Sequence, residues 1–229
     1  MERTHKIKNQ IDSIFRVHDR IINISEKEKL HSPLIFAGMA VYLYCNFENF
    51  RPHCDRLSGD IDYIIPPVDI PEWESALQLR FQYDKNRGFS GSMAKTKIAG
   101  IEVDLLADAE FIRPIDDIHF HCRFFYNELE KKQTNRENRR FLHVDAAQLL
   151  FFKLLLGRGL DKNKYDFEDA AALILDAHID EQHFFDVVFK QNDYSDQRVK
   201  ILAARLQKCV EIDANTASFR DGFLELIKN

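Results

Sequence analysis

The chain has 229 residues, 45% of them hydrophobic and 30% charged, with a formal net charge of −5. That is enough apolar chain for a substantial core in one large domain or two small ones, and the negative balance disfavours a protein that coats nucleic acid nonspecifically through a basic surface. No apolar run reaches the roughly 20 residues that cross a bilayer, the start Met1-Glu2-Arg3-Thr4-His5-Lys6 is charged unlike a secretory signal, and the scattered cysteines Cys45, Cys54, Cys122 and Cys209 fit reduced thiols, so a cytoplasmic protein is expected.

Ile7, Ile11, Ile14, Phe15, Ile21 and Ile22 recur at helical spacing and predict a packed first helix from Ile7 to Ile24. From Pro33 to Leu43 an apolar run ends at the small-residue turn Ala37-Gly38 and continues at helical spacing. A strand, a tight turn and a helix N-terminus in that order make a ready phosphate site. Free N–H groups and the helix dipole attract the anion, and glycine allows it close to the backbone.

Next comes Arg56-Leu57-Ser58-Gly59-Asp60-Ile61-Asp62-Tyr63-Ile64-Ile65, where two acids one position apart interrupt a strand-like run. The period of two puts Asp60 and Asp62 on one face. Carboxylates so placed repel unless a cation sits between them, and oxygen-only ligands suit a hard ion such as Mg2+. A solvated strand face carries the same pattern, so the surroundings decide between the two.

Pro71-Glu72-Trp73-Glu74 opens a helix with proline where a helix tolerates it. Phe81–Tyr83, Lys95–Ile98 and Val103–Leu105 are strand candidates. The loop Asn86–Ser92, which lacks the Gly-Lys-Ser/Thr order of a Walker motif, is expected to be a hairpin connection. Lys97 to Leu106 forms two strands around Gly100, with Asp104 as the natural third metal ligand. His119-Phe120-His121-Cys122 is explained by strand alternation more economically than by a metal cluster. The basic stretch Lys131–Arg140 is expected to be a solvated linker, with an RNA-contacting edge as the alternative.

All six prolines lie at or before Pro114 and five of the eight glycines at or before Gly100, so strands and turns belong to the first part. Two domains are expected, residues 1–144 with a mixed sheet flanked by helices and residues 145–229 all helical, for an α/β (α+β) fold. Asp145 is placed to cap a helix from Ala146 to Gly157, and Asp180 and Asp213 to cap later ones. That first helix carries Lys153. A Gly-containing turn with Arg158, Lys162 and Lys164 follows, then a helix with Asp166, Glu168 and Asp169 near its start. Acids there suit the helix dipole and a lysine can snorkel from an apolar face, so structure alone accounts for them.

Taken together these segments resemble the nucleotidyltransferase superfamily of DNA polymerase beta, and within it the AbiEii-like group of bacterial toxins and abortive-infection proteins. That group has a strand, Gly-Gly-Ser/Thr, a helix and then Arg-x-Ser-x-Asp-x-Asp on the next strand. Gly38 matches the second glycine, Arg56 the arginine, Ser58 the serine, Asp60 and Asp62 the metal-binding acids and Asp104 the third carboxylate. A later helical Lys and following Asp match Lys153 and Asp166, so the resemblance runs from Leu34 to about Leu175.

It implies an Mg2+-dependent transferase, with two ions, that moves NMP from an NTP to a hydroxyl acceptor such as RNA or tRNA, with a cognate antitoxin as partner. Asp60 and Asp62 would bridge the metals, and Asp104 would bind the one beside the acceptor. Gly38, Arg56, Ser58, Arg158 and Lys164 would hold the nucleotide, and Lys153 and Asp166 would serve catalysis. The chain departs from the pattern at Ala37 and Met39. A thioether cannot donate to phosphate, and restoring the hydroxyl with Met39→Ser is expected to tighten NTP binding. A noncatalytic binding protein on the same scaffold and a drug-modifying nucleotidyltransferase are the alternatives.

Overall fold

The computed structural model describes residues 2–45, 59–86, 88–159 and 164–227. The chain divides into two compact units, one of Met1–Ala40, His53–Glu110 and Arg123–Val144, the other of Val41–Pro52, Phe111–Cys122 and Asp145–Asn229.

The sheet of the first unit is assembled from β1 (Leu34–Phe36), β2 (Asp60–Ile64), β3 (Gln82–Asn86), β4 (Phe89–Ile98), β5 (Ile101–Ile115), β7 (Lys131–Arg136) and β8 (Arg139–Val144), in the spatial order β3-β4-β5-β2-β1-β8-β7. Strand β6 (Ile118–Phe124) pairs with β5 off this path. The sheet is mixed: β1 runs antiparallel to β2 and parallel to β8, and β2 runs parallel to β5. Helices α1 (Glu2–Lys27), α2 (Ala37–Tyr44) and α3 (Ile70–Leu77) interrupt the strands, and Pro71 sits in the first turn of α3 as its fixed φ favours.

Three hairpin turns set the register. Ala99-Gly100, Asp116-Asp117 and Glu137-Asn138 each put two successive residues at positive φ, between 48° and 86°. That is the turn whose twist matches the strands it joins.

On β2 the residues that alternate with its acids are buried. Ile61 and Tyr63 are fully enclosed, together with Ile14, Phe15 and Ile21 of α1, and Ile11 is buried beside them; Phe15 lies 4.7 Å from Phe141 of β8 between ring centroids. Apolar residues at helical spacing on α1 and at period two on β2 thus meet in one core. His18 is 1% exposed there. Its Nδ1 is 3.0 Å from the Tyr63 hydroxyl and its Nε2 is 3.3 Å from the Arg140 carbonyl. Burial lowers its pKa below 6.5, against the pull of that carbonyl.

A neutral buried histidine leaves a pH signature. The unfolded chain takes up a proton near pH 6.5 and the folded one only at lower pH. His18's contribution is therefore fully present above about pH 6.5 and is lost as pH falls toward the folded pKa. The slope of stability against pH in this window is expected to flatten in His18→Phe, read from urea midpoints; an unchanged slope would assign the pH dependence elsewhere.

One expectation is overturned in this unit and another is narrowed. The stretch Lys131–Arg140 is no linker: β7 and β8 form an antiparallel hairpin at the sheet edge, in register from Lys131↔Val144 to Arg136↔Arg139. Its polar residues suit an edge strand, where charge discourages further pairing, and Arg139 Nε is 3.0 Å from both carboxylate oxygens of Asp19. The hairpin connection expected over Asn86–Ser92 is present but shorter, since β3 pairs with β4 from Asn86↔Phe89 onward. Gly91 is there for room: a Cβ on it would come within 2.9 Å of Ala109 Cα and the Asp108 carbonyl.

The second unit is built on α4 (Ala146–Leu156), α5 (Asp166–Asp176), α6 (Glu181–Phe189), α7 (Asp196–Ile212) and α8 (Ala217–Glu225). Asp145 caps α4 by accepting from Ala147 N, Asp180 caps α6 through His183 N, and Asp213 caps the short 3-10 turn before α8 through Asn215 N. Phe184, Phe219 and Phe223 meet edge-on in its core. In β6, Phe120 and Cys122 are buried while His119 and His121 face the other way, and the His121 backbone is tied by both its N–H and C=O to the Asn192 side chain. Among the described residues no helix is long and apolar enough to cross a membrane.

Candidate active site

The site grows out of the register of β2 on β5. These parallel strands pair Asp62 with Asp104 and Asp60 with Glu102. Directly paired positions on neighbouring strands are about 4.8 Å apart and share a face. Four carboxylates therefore stand in two rows on one side of the sheet, while Ile61, Tyr63, Val103 and Leu105 fill the core on the other.

On its other side β2 pairs with β1, where Asp62 is opposite Phe36. The next residue, Ala37, begins α2, so the first turn of that helix starts one residue past the position beside Asp62. Gly38 lies in this first turn and is buried. The junction thus brings the helix N-terminus and the carboxylate row together within one unit, an arrangement suited to an anion and its counter-cation.

Ala37 holds φ 56° there. A left-handed backbone costs a residue with a Cβ on the order of 1 to 2 kcal/mol, so Ala37→Gly is expected to raise stability by about 1 kcal/mol, net of glycine's added entropy in the unfolded chain. Urea denaturation checks this, and a loss of stability would show that the methyl group contributes packing worth more than the strain. Met39 is 2% exposed and belongs to the apolar core. Its thioether is a packing group, so the expectation that Met39→Ser tightens NTP binding is revised: the substitution trades core packing for a buried hydroxyl.

Across the sheet on the other side of Asp104 lies Lys95. Counted back from the two-residue turn Ala99-Gly100, Lys95 of β4 falls opposite Asp104 of β5. Its ammonium donates to Asp104 Oδ2 at 2.5 Å. The hydrogen bond to Asp104 raises the Lys95 pKa most, with further attraction from Asp62 and Glu102 and opposition from partial burial. Lys95 and Glu102 were not singled out in the sequence. Their signal was present in two doublets, Lys95-x-Lys97 and Glu102-x-Asp104, placed symmetrically about a tight turn.

The donor set fits a hard divalent cation. Asp60, Asp62 and Asp104 offer only carboxylate oxygens, from adjacent strands and on one face, and that chemistry suits Mg2+ over softer metals. Arg56 and Ser58 lie outside the described residues.

The second unit contains the other sequence-predicted group. Lys153 is 4% exposed, and its ammonium is 3.3 Å from Asp166 and 2.8 Å from Asp169. Arg158 closes the cluster: its Nε donates to Asp166 Oδ2 at 2.7 Å and its backbone N–H donates to the same oxygen at 3.1 Å. Two cations and two carboxylates thus neutralise one another at the α4–α5 junction. Lys164 is exposed in the connection just before α5.

No protein-family model and no curated protein matches this chain. Solved structures do. An antigenic nucleotidyltransferase-like protein from Paracoccidioides brasiliensis superposes with a TM-score of 0.50 at 12% identity, over 92% of this chain and 93% of that one. A protein assigned as a nucleotidyltransferase from Thermotoga maritima gives a TM-score of 0.49 at 16% identity, over 64% of this chain and 86% of that one. The antibiotic-resistance factor ANT(2'')-Ia gives 0.37 at 14% identity, over 100% and 97%. The first of these likenesses establishes that the chain has a nucleotidyltransferase fold.

Proposed function

We propose that this chain is a metal-dependent nucleotidyltransferase that moves NMP from an NTP to a hydroxyl acceptor, with RNA or tRNA as the acceptor and an AbiEii-like toxin role. The observation that carries the reading is the direct pairing of Asp62 with Asp104 on parallel strands, with Asp60 on the same face and the α2 N-terminus beginning beside Asp62. In the transfer, the acceptor oxygen bonds to the α-phosphorus as it loses its proton, and the bond to the β-phosphate breaks to release pyrophosphate.

Asp60, Asp62 and Asp104 would hold Mg2+, which when bound supplies charge stabilisation at both ends of the displacement. The backbone of Gly38 and the α2 N-terminus receive phosphate oxygens, with Arg56 and Ser58 as further donors. In the second unit Arg158 is matched by Asp166 and Lys164 is exposed. Lys153 and Asp166 act by fixing the turn that carries Arg158, since the Lys153 charge is already matched by Asp166 and Asp169.

One observation favours the alternative, a noncatalytic binding protein: the Lys95 ammonium already sits on Asp104. Incubation with each α-labelled NTP, Mg2+ and total RNA separates the two. Label is expected in RNA with at least one NTP. Retention of all label in free nucleotide by folded protein overturns transfer to RNA.

A further inference from the structure

We propose that Lys95 is a tethered counter-ion of the carboxylate site, which holds the cation position in the metal-free protein and is displaced when a divalent cation binds. This inference rests on the metal site of the proposed function and adds its regulation: Lys95 sets the metal concentration at which the site fills.

The geometry supports displacement over permanent occupation. Lys95, Asp104 and Asp62 form one row across three neighbouring strands, so the ammonium approaches the acids from within the row. Asp104 is only 13% exposed, and the ammonium 2.5 Å from it supplies charge that water supplies poorly there. The lysine itself is 62% exposed. Its stem enters from solvent, and on release its head regains full hydration, so the swap costs little on the lysine side. A cation binding the same oxygen must dislodge the ammonium or accept its repulsion at short range, and either reduces affinity.

This arrangement answers a difficulty of the bare site. Four acids in two adjoining rows repel in the absence of metal, and a cation built into the neighbouring strand relieves the repulsion without blocking the α2 side of the row. Lys97, opposite Glu102 by the same count from the turn, is exposed and supports the second row.

Binding of Mn2+, followed through the paramagnetic signal of the free ion, tests the inference on wild type, Lys95→Met, Lys95→Arg and Asp104→Asn, with circular dichroism to verify folding. Lys95→Met is expected to bind Mn2+ at least about fivefold more tightly than wild type. Lys95→Arg, which keeps the charge, should stay near wild type, and Asp104→Asn should lose binding. Equal or weaker binding by Lys95→Met overturns the inference and leaves the metal reading standing. Binding by Lys95→Met alone overturns displacement, because the native lysine would then keep the site closed, and sinks the catalytic reading with it. Absence of binding in all four proteins overturns both.

Discussion

Asp62→Asn is expected to reduce Mg2+-dependent transfer of label from NTP by about three orders of magnitude or more, with the fold retained. Asp62 lies between the other two groups of the site, directly paired with Asp104 on one side and with Phe36, the last residue before α2, on the other. Loss of its charge removes a metal ligand at the centre of the row, and a catalytic metal contributes several kcal/mol of transition-state stabilisation, each 1.36 kcal/mol being a factor of ten in rate. Stability should not fall in the metal-free protein, since the change removes one of four crowded negative charges. Turnover near that of wild type by the folded variant would remove Asp62 from the chemistry. Asp104→Asn gives the contrast. It should be as inactive, but it also deprives Lys95 of its partner, a half-exposed pair worth no more than about 1 kcal/mol.

Lys153→Met is expected to destabilise the protein by about 3 to 5 kcal/mol, because it removes the ammonium held by both Asp166 and Asp169, which are almost fully buried, and leaves Arg158 on Asp166. For a domain whose total stability is of order 5 to 15 kcal/mol that approaches unfolding. Lys153→Met combined with Asp169→Leu removes one charge of each sign and should recover much of the loss, as neutral replacements of buried pairs do. Thermal and urea unfolding of the two singles and the double give the coupling. A single-mutant cost below about 1 kcal/mol, together with lost transfer activity, would move Lys153 from holding the α4–α5 junction to the nucleotide.

Much of this was legible in local pattern. The helical spacing of Ile11, Ile14, Phe15 and Ile21 marked α1 and its buried face. The doublet of Asp60 and Asp62 in an apolar run marked both a strand and the face on which its acids stand. Asp145, Asp180 and Asp213 announced their caps, and the alternation of His119 to Cys122 was that of a strand. These features depend on residues a few positions apart, where backbone geometry converts spacing into direction. The basic stretch from Lys131 to Arg140 misled for the same reason, because an edge hairpin and a solvated linker share a polar composition.

What the chain's own order left open was settled by contacts between distant segments. Only tertiary structure put Asp104 beside Asp62 across a parallel pairing 42 positions away in sequence, seated the Lys95 ammonium on Asp104, turned Met39 into the core, and matched Lys153 with Asp166 and Asp169. The physical reason is that a strand's partner is chosen by how whole faces bury together, and a charge's role is fixed by the counter-charge that burial brings to it; neither is written in the spacing of a segment read alone.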